Sequence, residues 1–329
     1  MIDNKKSSII LVLKVLSEYS DESHFLTHQD IIDKIYSIYG LEFERKSIAY
    51  SIDLLIELGY DIIKTRNGVS LYSRLFDLTE AKFLNDAIYS SQAITSKQAS
   101  ALIKKINSTF SVYDRKDYDH LYKTDEITRT NNNSIFYNIN IIEEGIKTKK
   151  RISFQYLTYD DNGEPICRNG GFRYIVSPYY LVNNFGRYYL ICNYREKYAA
   201  ISVYRVDYMI NINIEEKWVY KDIKQVTSDD NFNIHKFLKD RIYLFNGKAV
   251  DALILINTPD SILFIKDWFS DNGTIFKKDD KLYFSVRCDE NSLFYWLIQY
   301  GDNFTLIEPN HLLERLKDFY NKQAQRYNQ

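Results

Sequence analysis

The apolar residues of this chain change their period at Ile152, and that switch constrains the fold more than any other feature. Ahead of it they recur at three- and four-residue spacing; after it, several runs alternate one in, one out. The first pattern lines one side of a helix and the second lines one side of a sheet. The expected class is therefore α+β, with helices first and a sheet in the middle.

Within the helical part, Ile9, Leu11, Leu13, Val15 and Leu16 predict a mostly buried helix over residues 7–19. "LTHQDIIDKIYSIYG" predicts a second, with Thr27 as N-cap, Asp30 three residues on, and Gly40 as stop. "EFERKSIAYSIDLLIELGY" predicts a third, buried through Ile48, Ile52, Leu55 and Leu58 and closed by Gly59. "DIIKTRNGVSLYS" alternates around Asn67-Gly68, a hairpin signal. Three short helices followed by a hairpin is the order of a winged helix-turn-helix, whose third helix normally enters the major groove. That helix offers Arg45, Lys46, Ser47, Tyr50 and Ser51 away from its apolar side, and the hairpin carries Lys64 and Arg66 near its tip. Such groups suit phosphates and base edges. Against this, Glu42, Glu44 and Asp53 must then point away from DNA, and the same kind of unit also serves as a protein-interaction module.

Residues 77–122 predict a helical connector: one helix capped by Asp77 or Thr79, one by Thr95 or Ser96, and a short polar helix near residues 117–121. "KTDEITRTNNNS" is the best linker. A helix then runs into the basic cluster Lys147, Lys149, Lys150 and Arg151. "ISFQYLTYDDNG", "FRYIVSPYYLVNN", "GRYYLICNY" and "AAISVYRVDYMINI" predict four strands separated by DNG, NNFG and REKY turns. Closely spaced short strands suggest a small antiparallel barrel. Beyond a polar stretch at 227–231, the order strand, helix, hairpin, helix, strand, helix predicts a split-βαβ domain. The expected boundaries are 1–76, 77–134, 135–222 and 223–329.

Three stretches resemble the WYL-domain transcriptional regulators of bacteria: "RKSIAYSIDLLIELGYDI", "SPYYLVNNFGRYYLIC…YRVDYM" and "FYWLIQYGDNFTLIEPNHLLERL". The resemblance covers nearly the whole chain. It implies a winged helix-turn-helix, a helical connector, a small Sm/SH3-like antiparallel β-barrel and a C-terminal extension domain. Tyr188-Tyr189-Leu190 stand where the family has Trp, Tyr and Leu. Tyr208 stands where the family usually has a second arginine, and Ala49, Tyr50 and Ser51 replace an aromatic-arginine-aspartate run. The resemblance further implies a cytoplasmic homodimer on double-stranded operator DNA. It implies a barrel that senses a ligand, with nucleotides or single-stranded nucleic acid favoured, and frequent company with phage-defence genes.

Charge points the same way. The chain has 43 Lys and Arg against 44 Asp and Glu, yet residues 147–225 hold about five more cations than acids. On a straight strand "ISVYRVDYMI" would place Tyr204, Val206, Tyr208 and Ile210 on one side and Val203, Arg205, Asp207 and Met209 on the other. Arg205 is then the first candidate for an anionic ligand, through its bidentate fork. A pair with Asp207 on a solvated strand is the competing reading. One of Tyr188 and Tyr189 would fill the core and the other could stack on a base. Arg187, Arg173, Tyr156 and Ser177 are secondary candidates.

Enzyme signatures are absent. There is no P-loop, HExxH, GxSxG or GxGxxG, and the five histidines are scattered. Asp207 with Asp222 and Lys224 imitates a nuclease pattern that arises readily by chance. Three separated cysteines make neither a zinc site nor a disulfide framework, and no apolar run is long enough to span a membrane. The expectation is a non-enzymatic regulator without cofactor or metal. The rival is a protein-interaction adaptor built on the same winged helix and barrel.

Overall fold

The computed structural model describes residues 4–72, 74–115, 129–194, 201–227, 232–245 and 247–328. The expected helix at 117–121 and the REKY turn lie outside them. By their contacts these residues fall into two units: one runs to Ile135 and includes Phe185–Arg187, and the other holds Phe136–Asn184 and Tyr188 onward.

The first unit opens with α1 (Asn4–Tyr19), α2 (His28–Tyr39) and α3 (Arg45–Glu57), then the hairpin β1 (Ile62–Thr65) and β2 (Gly68–Leu71). Val12, Val15, Leu16, Ile31, Ile35, Ile48, Ile52 and Leu55 interdigitate as its core, and the hairpin adds Ile62, Val69 and Leu71. Local chemistry sets the helix limits. At α2 the Thr27 side chain accepts from the Asp30 amide while the Asp30 carboxylate takes the Thr27 amide, and Gly40 closes the helix at φ 67°. The hairpin departs from the expected register: Thr65 pairs with Gly68, so Arg66 and Asn67 form the turn. Gly68 serves another purpose. A Cβ there would lie 2.4 Å from the Leu26 carbonyl oxygen, because Leu26 and Val69 exchange backbone hydrogen bonds of 2.9 and 2.8 Å.

The connector follows as α4 (Leu78–Ser90) and α5 (Ser96–Asn107), each begun by a capping box: Asp77 with Glu80, and Thr95 with Gln98. Arginines close three helices of this unit. Arg74 donates to the carbonyls of Ser17, in the last turn of α1, and Ser20, just past it. Arg115 donates to those of Asn107 and Phe110 at 3.0 Å beyond α5, and Arg129 to Ser91 at 2.8 Å beyond α4. Each cation meets the negative end of a helix and satisfies carbonyls the helix leaves open.

The second unit begins with α6 (Ile135–Thr148), which packs on a curled antiparallel sheet of β3 (Arg151–Tyr159), β4 (Pro165–Cys167), β5 (Arg173–Asn184), β6 (Arg187–Asn193), β7 (Ser202–Arg205) and β8 (Met209–Glu215). Strand order is β4-β3-β5-β6-β7, and β8 pairs the other edge of β3. Gly145 permits the close approach of α6, since a Cβ there would stand 2.7 Å from the Ile152 side chain. Here one expectation fails. The run expected as one strand through residues 201–214 is broken by a 3-10 turn over Val206–Tyr208 between β7 and β8. Val206 and Met209 are both fully buried, so the expected alternation of sides does not hold across the break.

After α7 (Ile223–Thr227) and α8 (Ile234–Lys239) come β9 (Ala249–Ile256), α9 (Ile262–Phe269), β10 (Thr274–Lys278), β11 (Lys281–Asp289), α10 (Glu290–Gln299), β12 (Phe304–Glu308) and α11 (Asn310–Tyr327). The four strands lie in the order β10-β11-β9-β12, all antiparallel. Trp296, Phe284, Phe269 and Phe304 fill the space between sheet and helices. No described helix is long and apolar enough to cross a membrane.

Candidate functional site

Two surfaces carry the residues singled out from sequence. On the first, α3 buries Ile48, Ile52 and Leu55 and leaves Arg45, Lys46 and Tyr50 outward, Tyr50 at 68% exposure. Arg66 is exposed at the hairpin turn. Among the described residues Arg45, Lys46 and Arg66 enter no ion pair, so their charge faces water. Ser47 is half-buried. Ser51 is a correction: it is buried, its hydroxyl donates to the Ser47 carbonyl at 2.9 Å, and Ser8 Oγ lies within hydrogen-bond distance at 3.0 Å. A small hydroxyl satisfied inside a helix interface reads, in sequence, like one offered at the surface. Lys64 also differs from a free cation, since its ammonium is bonded to the Asp53 carboxylate of α3. His28 at the start of α2 was not foreseen as part of this surface. Burial and the nearby charges of Arg45 and Lys64 lower its pKa, against an opposing pull from Asp53. The four side chains thus share one electrostatic neighbourhood, predominantly positive.

The second surface centres on Arg205 at the end of β7. The 3-10 turn brings Asp207 to its guanidinium, with Nε donating to Oδ1 at 3.1 Å and Nη2 to Oδ2 at 2.6 Å. Such a two-point charged contact is strong and directional. The Asp207 side chain is 4% exposed and that of Arg205 26%. One plane of the guanidinium covers the Tyr208 ring, 4.2 Å from its centroid. Burial alone would lower the Arg205 pKa, but the hydrogen bond and charge of Asp207 outweigh it and hold the guanidinium above its ordinary value. The Arg205 amide donates to the Tyr156 hydroxyl at 3.1 Å, and Tyr189 is the cross-strand partner of Arg205. Rings continue outward: Tyr156 meets Tyr204 and Tyr208 edge-on at 5.4 and 5.8 Å, and Tyr159 meets Tyr208 at 6.2 Å. Burial raises the phenol pKa of Tyr156 and of Tyr204, so both stay neutral hydrogen-bonding groups.

The structure therefore gathers Arg205, Tyr189 and Tyr156 and adds Tyr208 and Asp207 to them. It does not gather the rest. Arg173 donates to Ser153 Oγ at 2.8 Å and lies 3.8 Å from Glu215. Ser177 is fully buried and accepts from the Lys221 amide at 3.0 Å, which corrects its assignment to a ligand surface. Arg187 groups by its contacts with the first unit. Tyr188 and Tyr189 are both half-buried, so neither ring is lost to the core. In the basic cluster, Lys149 reaches Asp222 at 3.7 Å and Lys150 reaches Glu216 at 2.9 Å. Of the nuclease-like triplet, Asp207 pairs with Arg205 and Asp222 lies 3.7 Å from Lys149.

The family model of the WYL domain matches residues 137–214, from α6 to the end of β8. The chain carries a WYL domain there, and both Arg205 and its carboxylate partner fall inside it. Among solved structures the chain is similar to proteasome accessory factor B/C (PafBC) of Arthrobacter aurescens, at 14% identity over 98% of this chain and 49% of that one, with a TM-score of 0.28. It is also similar to a CRISPR Cas-related protein, at 15% identity over 98% of this chain and 84% of that one, with a TM-score of 0.40. The chain spans about half the length of PafBC. No curated protein matches it in sequence.

Proposed function

We propose that this WYL-domain chain is a DNA-binding transcription regulator whose WYL domain senses a nucleic-acid or nucleotide-like ligand. One observation carries the DNA reading. Arg45, Lys46, Tyr50 and Arg66 stand open to solvent on a three-helix and hairpin unit whose other side is its own core. In this reading α3 enters the major groove, with Arg45, Lys46, Ser47 and Tyr50 near base edges and phosphates. Arg66 and Lys64 reach the backbone, Lys64 once it leaves Asp53. The protein acts as a homodimer on an inverted-repeat operator and performs no chemistry of its own. Ligand at the Arg205 and tyrosine cluster shifts the population of DNA-competent dimers, so ligand and operator affinities are linked.

A gel shift with the DNA upstream of the protein's own gene, repeated across salt concentrations, tests the first half. Saturable retardation that falls steeply with salt is expected, because each neutralised phosphate contributes about 0.9 to the slope of log affinity against log salt. For the second half, Arg205→Ala is expected to weaken binding of a short single-stranded oligonucleotide; unchanged binding removes the assignment.

A protein-interaction adaptor is the second reading. It is favoured by the apolar Tyr50, Leu58 and Tyr60 exposed on and after α3, and by the Asp53 carboxylate that neutralises Lys64. It predicts no retardation at any salt concentration.

A further inference from the structure

The ion pair at the centre of the WYL domain has a consequence for what the domain can take. A guanidinium free on a strand would grip a phosphate by two parallel N–H groups. Arg205 does not have that fork free. Its Nε and Nη2 are both given to Asp207, whose carboxylate is almost wholly buried. One plane of the guanidinium is already covered by Tyr208. What is left of the guanidinium is Nη1 and the opposite plane, with Tyr189 across the strand pair and Tyr156, whose hydroxyl accepts from the Arg205 amide, as neighbours. Charge at this spot is cancelled as well, since an acid sits on the cation. Arg173 of the same sheet and Lys150, just ahead of it, also lie against carboxylates.

The geometry points to Asp207 as the specificity-determining residue of this site: by occupying the fork of Arg205 it rejects bare phosphate and selects a flat, π-rich group, a nucleobase, that stacks on the guanidinium and takes one hydrogen bond from Nη1. This deepens the sensor reading above and rests on it. Stacking of a base on a planar cation or ring is tolerant of sequence. A phosphate clamp would depend on salt steeply. Anionic ligands without bases, such as polyphosphate, would have to displace Asp207 from the fork and break its two-point contact with Arg205. The tyrosine at 208 serves the same end, because it holds the guanidinium flat and presents its free plane in a fixed direction.

The test uses the full chain and a fluorescent oligothymidine read by anisotropy, with inorganic polyphosphate of matched charge as competitor. The expected result is that polyphosphate fails to displace the oligonucleotide, whereas unlabelled oligothymidine does. Arg205→Lys keeps the charge and removes the plane, and should weaken oligothymidine binding about tenfold, about 1.4 kcal/mol. Asp207→Asn, with folding checked by circular dichroism, should free the fork and raise polyphosphate affinity by about the same factor. Equal displacement by polyphosphate in the unaltered protein overturns the stacking proposal and leaves a ligand site at Arg205 standing. Oligothymidine binding indifferent to both Arg205→Lys and Arg205→Ala overturns the proposal and the sensor reading together.

Discussion

The cations of α3 and its hairpin tip and four cations of the WYL domain are alike in sequence and opposite in situation. Arg45, Lys46 and Arg66 face solvent, and among the described residues no carboxylate answers them. Arg205, Arg173, Lys149 and Lys150 each lie against an acid. Counting charges along the chain gave the surplus to residues 147–225 and a slight deficit to the first 75 positions. Pairing leaves that balance in place, since each pair takes one cation and one acid, but it settles which cations stay open to a ligand. What matters to a ligand is the charge left after neighbours have been paired, and pairing is decided in three dimensions.

Four experiments sharpen that contrast, from the strongest expected effect downward. Asp207→Ala removes one member of a mostly buried pair and strands the other. It should cost about 2–3 kcal/mol of stability in urea denaturation, on the low side for buried pairs because Arg205 keeps some contact with water. A loss below about 0.5 kcal/mol would mean the pair is no more than a surface contact. Next, Arg45→Ala with Lys46→Ala should lower DNA affinity at least about tenfold and flatten the salt slope by about 1.8, the share of two phosphates. Equal loss at every salt concentration would show that these side chains do not meet phosphate.

The third concerns acid. Burial raises the pKa of the Asp21 carboxyl, but hydrogen bonds from Ser111, His24 and the Ser23 amide outweigh it and hold it below the ordinary value. A carboxyl with a depressed folded pKa stabilises above its unfolded pKa, near 4, and loses that contribution as pH falls through the folded value. Thermal melts from pH 6 downward should therefore fall less for Asp21→Asn than for the parent below about pH 4; parallel curves would remove Asp21 from the account. The smallest effect should come from Asp53→Ala. It frees Lys64 at a stability cost under about 1 kcal/mol and should raise DNA affinity a few-fold in a low-salt gel shift. No change would mean that Lys64 stays away from DNA even when released.

Helix limits in the first unit were legible because they are local. Thr27 with Asp30 was read outright, and of the alternatives at the next two helices the structure takes Asp77, boxed with Glu80, and Thr95, boxed with Gln98. Non-local choices were not legible. Nothing in "YRVDYM" marks a turn, having neither glycine nor proline, yet the chain turns at Val206–Tyr208 and buries an aspartate. The aspartate is tolerated because the arginine two residues earlier satisfies both of its oxygens. Ser51 and Ser177 misled for a related reason. A hydroxyl is small and polar enough for either side of a helix or sheet, and only its partners decide. The hairpin signal at Asn67-Gly68 pointed to the right turn but the wrong corner, since Gly68 answers to Leu26 rather than to the bend.

That glycine reaches further than the hairpin. Leu26 is hydrogen-bonded to Val69 on one side and leads directly into the cap of α2 on the other. Hairpin and α2 therefore meet through neighbouring residues, Leu26 and Thr27. In the DNA-binding reading proposed above, that junction bears on how far Arg66 at the tip stands from the cations of α3. The junction itself depends on the absence of a single methyl group.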